Sequence, residues 1–182
     1  MSIVAVDLAA KFSAAMLMTP KKVCDQWDSW QVSETEFIDA TTKFWDYRNS
    51  RPPLALVIED LPHGVPYMTT TKNVCRLQGR FIERMKSYGY LSWVLFVPPA
   101  EWRRHFELKQ GSGEQAVVHA AKEHGYEPPD LMERATEKGS RAIARKVATD
   151  YCAAYLIGQW ALEMFVIEGT FDAPRTSRYG AT

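Results

Sequence analysis

An excess of charge of either sign is absent: 22 basic and 22 acidic side chains cancel to a formal net charge of zero. Binding to a polyanion through bulk basicity is thereby excluded, and contact with a phosphate-rich partner must come from uneven placement of charge. Cysteine is scarce. Cys24, Cys75 and Cys152 are widely spaced and form no C-x-x-C pair, so neither a zinc ribbon nor a disulfide framework is indicated, and a reducing, cytoplasmic setting fits. The opening Met-Ser-Ile-Val-Ala-Val-Asp lacks a basic n-region and reaches an acid at Asp7, unlike a signal peptide. A long uninterrupted apolar run is missing too. The nearest approach to a membrane span, Tyr151 to Ile167, carries Gln159 and Glu163 between Asp150 and Glu168, and reads as a buried core helix. Internal repeats and low-complexity linkers are lacking. So is glycine after the first apolar stretch, where Leu8-Ala9-Ala10-Lys11 offers no phosphate-cradling loop.

What is present is an ordinary globular balance over 182 residues, 46% hydrophobic and 24% charged. A chain of this length buries roughly two thirds of its unfolded surface and needs no staple to fold. We expect one domain over residues 1–170 and a flexible C-terminal tail over 171–182. Charge is segregated along it: residues 33–70 hold six acids and three bases, residues 71–110 eight bases and three acids, and Arg134 to Lys146 five bases and one acid. Such runs are usually solvated helix faces, but two positive runs flanking acidic candidates also suit a phosphate-rich ligand.

The pattern predicts strands at Ser2 to Asp7, Ser13 to Met18 and, with charges and tryptophans interleaved, within Lys21 to Val32. Ser33-Glu34-Thr35-Glu36 is a capping box opening a helix that ends at Arg51-Pro52-Pro53. Leu54 to Ile58 is apolar throughout, as in a strand buried on both faces. A loop from Asp60 to Thr71 leads to a long helix with Val74, Leu77, Phe81, Met85 and Tyr88 on one stripe, and Gly89 at its end. A further buried strand, Leu91 to Val97, stops at Pro98-Pro99; shorter helices follow, then a last long helix from Gly139-Ser140. The order β-β-β-α-β-α-β-α-α predicts an α/β fold with a mixed five-stranded sheet, antiparallel β1-β2-β3 followed by parallel β4 and β5, flanked by helices.

Three carboxylates stand out by position. Asp7 and Glu59 each close an apolar strand, and the carboxyl ends of strands form the rim where open α/β folds bind ligands. Asp150 lies within the last helix beside apolar residues. Buried acids near one another need a positive partner. Hard oxygen ligands without histidine suit Mg²⁺, with Mn²⁺ as a substitute. Two such ions about 3.5–4 Å apart would serve phosphodiester hydrolysis. N-capping or surface ion pairing is the alternative role for such acids. His119 and His124 are five apart and make a poor zinc pair.

The segment Ile3-Val4-Ala5-Val6-Asp7-Leu8, then Leu56-Val57-Ile58-Glu59, then Ala144 to Ala154 around Asp150 resembles the RuvC family of Holliday junction resolvases. Lys72-Asn73-Val74 through Leu77-Gln78-Gly79-Arg80 resembles the helix after that family's glutamate. The likeness runs in order and spacing over roughly residues 1 to 165, and its specificity comes from order, spacing and element type together. It implies an RNase H-like fold, a homodimer, and Mg²⁺-dependent paired nicking of four-way DNA junctions in a bacterial cytoplasm or a phage-infected host. It carries catalytic and metal-binding roles to Asp7, Glu59 and Asp150. Val147 departs from the pattern, because the family carries Asp or His at that position, and a two-metal site then lacks its fourth ligand. Lys146, one turn before Asp150 and near the same helix face, is expected to substitute electrostatically, the alternative being a DNA-backbone or solvent-facing lysine. Asp60 is a weaker candidate, since adjacent strand residues point to opposite faces.

Lys72, Arg76, Arg80, Arg141 and Arg145 are candidate phosphate contacts. Tyr67 and Met68 are candidates for a wedge that opens base stacking, with packing of Tyr67 on its own protein as the alternative. The resemblance places some of the stripe Leu77, Phe81, Met85 and Tyr88 at a two-fold dimer contact. The competing functions are another RNase H-like nuclease, acting on flaps or RNA–DNA hybrids, and a non-catalytic DNA-binding module with a degraded site. No helicase partner is assigned.

Overall fold

The computed structural model describes residues 2–9, 11–48, 55–60, 68–87, 93–109, 111–136, 140–167 and 170–171. Its elements run β1 (Ile3–Asp7), β2 (Ala14–Thr19), β3 (Lys22–Asp28), α1 (Glu34–Arg48), β4 (Ala55–Glu59), α2 (Met68–Ser87), β5 (Trp93–Val97), α3 (Pro99–His105), α4 (Glu114–Glu123), a 3₁₀ turn (Met132–Arg134), α5 (Ser140–Phe165), β6 (Val166–Ile167) and β7 (Thr170–Phe171). The sheet has the order β3-β2-β1-β4-β5; β1, β2 and β3 pair antiparallel, and β1-β4 and β4-β5 pair parallel. This is the expected mixed sheet, and it is that of the RNase H-like fold. β6 and β7 form a separate two-stranded hairpin that the sequence pattern did not announce. Residues 172–182, most of the expected tail, lie outside the described residues, as do Gly89 and Tyr88.

Each strand residue alternates between two cores. Ile3, Ala5, Ala55 and Val57 pack against α5, α3 and α4, in a cluster with Trp102, Val117, Val147, Ala154 and Leu156. Val4, Val6, Leu56 and Ile58 pack against α1 and α2, with Phe37, Val74, Leu77, Phe81 and Met85. β1 and β4 are buried on both faces and therefore read as continuous apolar runs. The stripe of α2 is spent inside this chain: Phe81 and Met85 are fully buried and Leu77 nearly so. For Leu77, Phe81 and Met85 this corrects the expectation that some of the stripe meets a second copy, because an apolar periodicity marks a covered face without saying what covers it; the fourth member, Tyr88, is not among the described residues.

The capping box forms as expected. The Glu36 amide donates to Ser33 Oγ at 3.2 Å, and the Ser33 amide donates to Glu36 Oε2 at 2.7 Å. α2 begins earlier than the proposed loop allowed, taking in Met68 to Thr71, because the low helix preference of a threonine run is a weak bias that the rest of the helix overrides. α5 lies close against the sheet at Gly158: a Cβ there would stand 2.8 Å from the Ala5 Cβ and would also collide with the Met18 Sδ. No described helix is long and apolar enough to cross a membrane, and Tyr151 to Phe165 belong to the buried helix α5.

Candidate active site

Parity and register place the acids. Val6 pairs with Ile58 in the parallel β1-β4 ladder, so the next residues, Asp7 and Glu59, end the two strands side by side. Asp7 follows the Ile3-Ala5 series and Glu59 the Ala55-Val57 series, so both stand on the face that α5 covers. Asp60 is the next residue along, with the opposite parity, and its amide extends the ladder to the Val97 carbonyl at 2.8 Å. α5 supplies Asp150, whose side chain is 2% exposed.

The three carboxylates feel one another. Burial pushes Asp7 well above the ordinary carboxylate range, and the negative charges of Glu59 and Asp150 add to it. Burial also raises Glu59, against the opposing pull of the Trp102 hydrogen bond, Arg103 and Lys146. Asp150 is raised by burial, with the Lys146 hydrogen bond and charge only partly offsetting it. Each shift says that the charged form lacks compensation.

The compensation that exists comes from the protein. Lys146 donates to Asp150 Oδ1 in an i, i+4 ion pair. Burial opposes its charge, yet the hydrogen bond to Asp150 and the charges of Asp150 and Asp7 hold its ammonium above the ordinary lysine range. Trp102 Nε1 donates to Glu59 Oε1 at 2.9 Å. The Arg103 guanidinium lies 4.8 Å from the Trp102 ring centroid, and its charge reaches both Asp7 and Glu59. The Gln78 amide donates to the Glu59 backbone carbonyl at 3.2 Å, tying α2 to the end of β4. Glu114, at the start of α4, adds negative potential at Lys146 and Asp150.

The expected acids thus share one neighbourhood, but they do not form a ready-made metal cage. Among the described residues, no three histidine, cysteine or carboxylate groups are assembled as one, because Glu59 is turned to Trp102 and Asp150 to Lys146. Among the buried side-chain atoms of the described residues, Asp150 Oδ2 is without a hydrogen-bond partner. Such an atom costs about 1–3 kcal/mol unless something positive meets it. An all-oxygen donor set with raised proton affinity and one orphaned oxygen fits a hard divalent cation. Val147 is fully buried among apolar residues and cannot contribute.

The basic candidates divide. Arg76 and Arg80 both bind Glu34, Arg76 at 3.2 Å, and Arg80 also donates to the Thr35 hydroxyl at 3.1 Å. Glu34 is a partner that the sequence reading did not assign them. Lys72, Arg141 and Arg145 are exposed. Tyr67 lies outside the described residues, and Met68 is placed only as the first residue of α2. Trp102, Arg103 and Glu114 were missed. The available signal was Pro98-Pro99 directly after β5: β5 runs parallel to β4 with Val97 beside Glu59, so a helix starting there must begin at the same rim.

Solved structures with this architecture are known. Thermus thermophilus RuvC in complex with a Holliday junction substrate superposes with a TM-score of 0.58 at 11% identity, covering 88% of this chain and 92% of that one. Thermus thermophilus RuvC in a second structure gives 0.51 at 13% identity, covering 85% and 95%. At such identities the likeness shows the fold alone. No protein-family model matches the chain, and no curated protein matches it.

Proposed function

We propose that this protein is a divalent-metal-dependent endonuclease that cuts branched DNA, four-way junctions above all, at paired positions as a homodimer. The observation that carries this reading is the convergence of Asp7, Glu59 and Asp150, from two strand ends and a helix, on one rim that Lys146 and Arg103 border. The fold shared with a RuvC bound to a Holliday junction supports the substrate class.

Asp7, Glu59 and the free oxygen of Asp150 would hold the Mg²⁺, which supplies Lewis-acid activation of water and charge neutralisation at the phosphate. Trp102 fixes the Glu59 carboxylate by its hydrogen bond and so sets which oxygen faces the cleft. Arg103 and Lys146 stand where the charge of a scissile phosphate would add to that of the acids, and both oppose the resulting repulsion. Arg141 and Arg145, exposed on α5 ahead of Asp150, are the phosphate contacts nearest the acids in sequence.

The test is cleavage by the full chain of four-way, flap, RNA–DNA hybrid and linear duplex substrates with and without Mg²⁺. Paired nicks confined to the four-way junction support the reading. Preferential cutting of flaps or hybrids would make it a different RNase H-like nuclease, and junction binding without scission under any metal would make it a non-catalytic binding module.

A further inference from the structure

The charge balance at the rim departs from a site built around two metal ions, and this inference rests on the nuclease reading above. Four carboxylates, those of Asp7, Glu59, Asp150 and Glu114, are felt there against two fixed cations, Lys146 and Arg103. With all four ionised, as metal binding requires of its ligands, the remaining charge is that of two electrons, which one divalent ion cancels. A second ion would leave the cleft positive by the same amount, and Val147, within a turn of Asp150 on α5, is sealed in the apolar core and offers it no oxygen.

The geometry points to a division of labour around Asp150. Its Oδ1 is taken by the Lys146 ammonium, four residues earlier on the same helix. Its Oδ2 is buried and without a partner. We infer that Lys146 is a built-in cation standing in for one of two metals, and that the site takes a single divalent ion between Asp7, Glu59 and Asp150 Oδ2. The Lys146 side chain remains 44% exposed, so it is not sealed from an entering phosphate. A fixed ammonium repels a nearby cation, and at the effective dielectric of a half-buried site that repulsion is large. The site therefore gives up some metal affinity in exchange for a charge that does not dissociate.

The experiment is a Mn²⁺ titration of the DNA-free full chain, read by calorimetry and by the electron spin resonance signal of unbound Mn²⁺, independently of cleavage. One ion per chain is expected. Lys146→Met should bind Mn²⁺ about tenfold more tightly or admit a second ion, whereas Lys146→Arg should keep the wild-type count. Two ions on the wild-type chain, or unchanged affinity in a folded Lys146→Met, would overturn the inference and leave the nuclease reading standing. If Lys146→Met does not fold, the wild-type stoichiometry alone decides. No bound Mn²⁺ at all would remove both.

Discussion

On the side of the sheet covered by α1 and α2, the arginines are consumed by structure. Arg76 and Arg80 converge on Glu34, and Arg84 reaches Asp39 at 2.9 Å. On the side covered by α5, Lys146 and Arg103 face carboxylates that remain under-compensated, and Arg141 and Arg145 stand exposed. The two positive segments of the chain look equivalent in sequence, +5 over residues 71–110 and +4 over 134–146. Folding lays Glu34 and Asp39 of the acidic segment against the arginines of α2 in the first, spends Arg134 of the second on Asp28, and leaves Lys146, Arg141 and Arg145 on the helix that carries Asp150. A basic run is therefore a statement about potential only once its neighbours in space are known.

The sharpest way to separate the two sides is to remove charge at the rim. Asp7→Asn should cut branched-DNA cleavage by at least roughly a hundredfold, the scale of losing one preorganised electrostatic group, while junction affinity changes little. The same substitution should stabilise the metal-free protein. Asp7 has a folded pKa well above its ordinary value, so the native state holds its proton more tightly than the unfolded chain. Its contribution is intact below the unfolded pKa and is lost as pH rises through the folded one. Wild-type melting temperature without metal should therefore fall across that window, and Asp7→Asn should flatten the profile. A wild-type rate of nicking in Asp7→Asn would end the catalytic assignment.

Next in size is the anchor of α5. Asp28, only 4% exposed, accepts from Arg134 at 2.7 and 3.1 Å and from the Tyr151 hydroxyl at 2.7 Å, and Arg134 also donates to the Trp30 carbonyl at 2.7 Å. Tyr151 directly follows Asp150, so this network fixes the helix that presents the acid. Arg134→Met leaves a buried carboxylate with its Tyr151 and Trp30 donors but without its counter-charge, and should cost about 2–3 kcal/mol, measured by urea unfolding. Gly158→Ala should cost about 1–3 kcal/mol through overpacking, because Met18 can swing away but the Ala5 methyl on β1 cannot. No loss in either variant would mean that α5 tolerates a shift against the sheet.

The strands, the mixed sheet and the Ser33 cap were legible because the first two follow from apolar runs and the order of elements, and the last from a four-residue hydrogen-bond pattern. The supports of the site were not. Trp102 meets Glu59 only because α3 folds back over the rim after β5, a contact 43 residues apart in sequence. Glu34 meets Arg80 across 46 residues, through a relative placement of α1 and α2 that no periodicity encodes. Lys146 was legible as a neighbour of Asp150 from the i, i+4 rule. That the pair leaves the second carboxylate oxygen orphaned is a property of packing, visible only when α5 is laid on the sheet.

The smallest effects test the comparison most directly, because they set like residues against like. Arg76→Ala and Arg80→Ala should each change stability by no more than about 0.5 kcal/mol, since both pairs are solvent-exposed. They should weaken junction binding less than about twofold, because Glu34 already balances one of the two charges. Arg145→Ala should weaken it more, by about three- to tenfold, and reduce the slope of log affinity against log salt by about one, as expected for one lost phosphate contact. Gel-shift titrations at three salt concentrations distinguish these outcomes. Equal losses on both sides of the sheet would mean that DNA displaces Glu34 from α2 and that the ion pairs there are a resting arrangement rather than a fixed one.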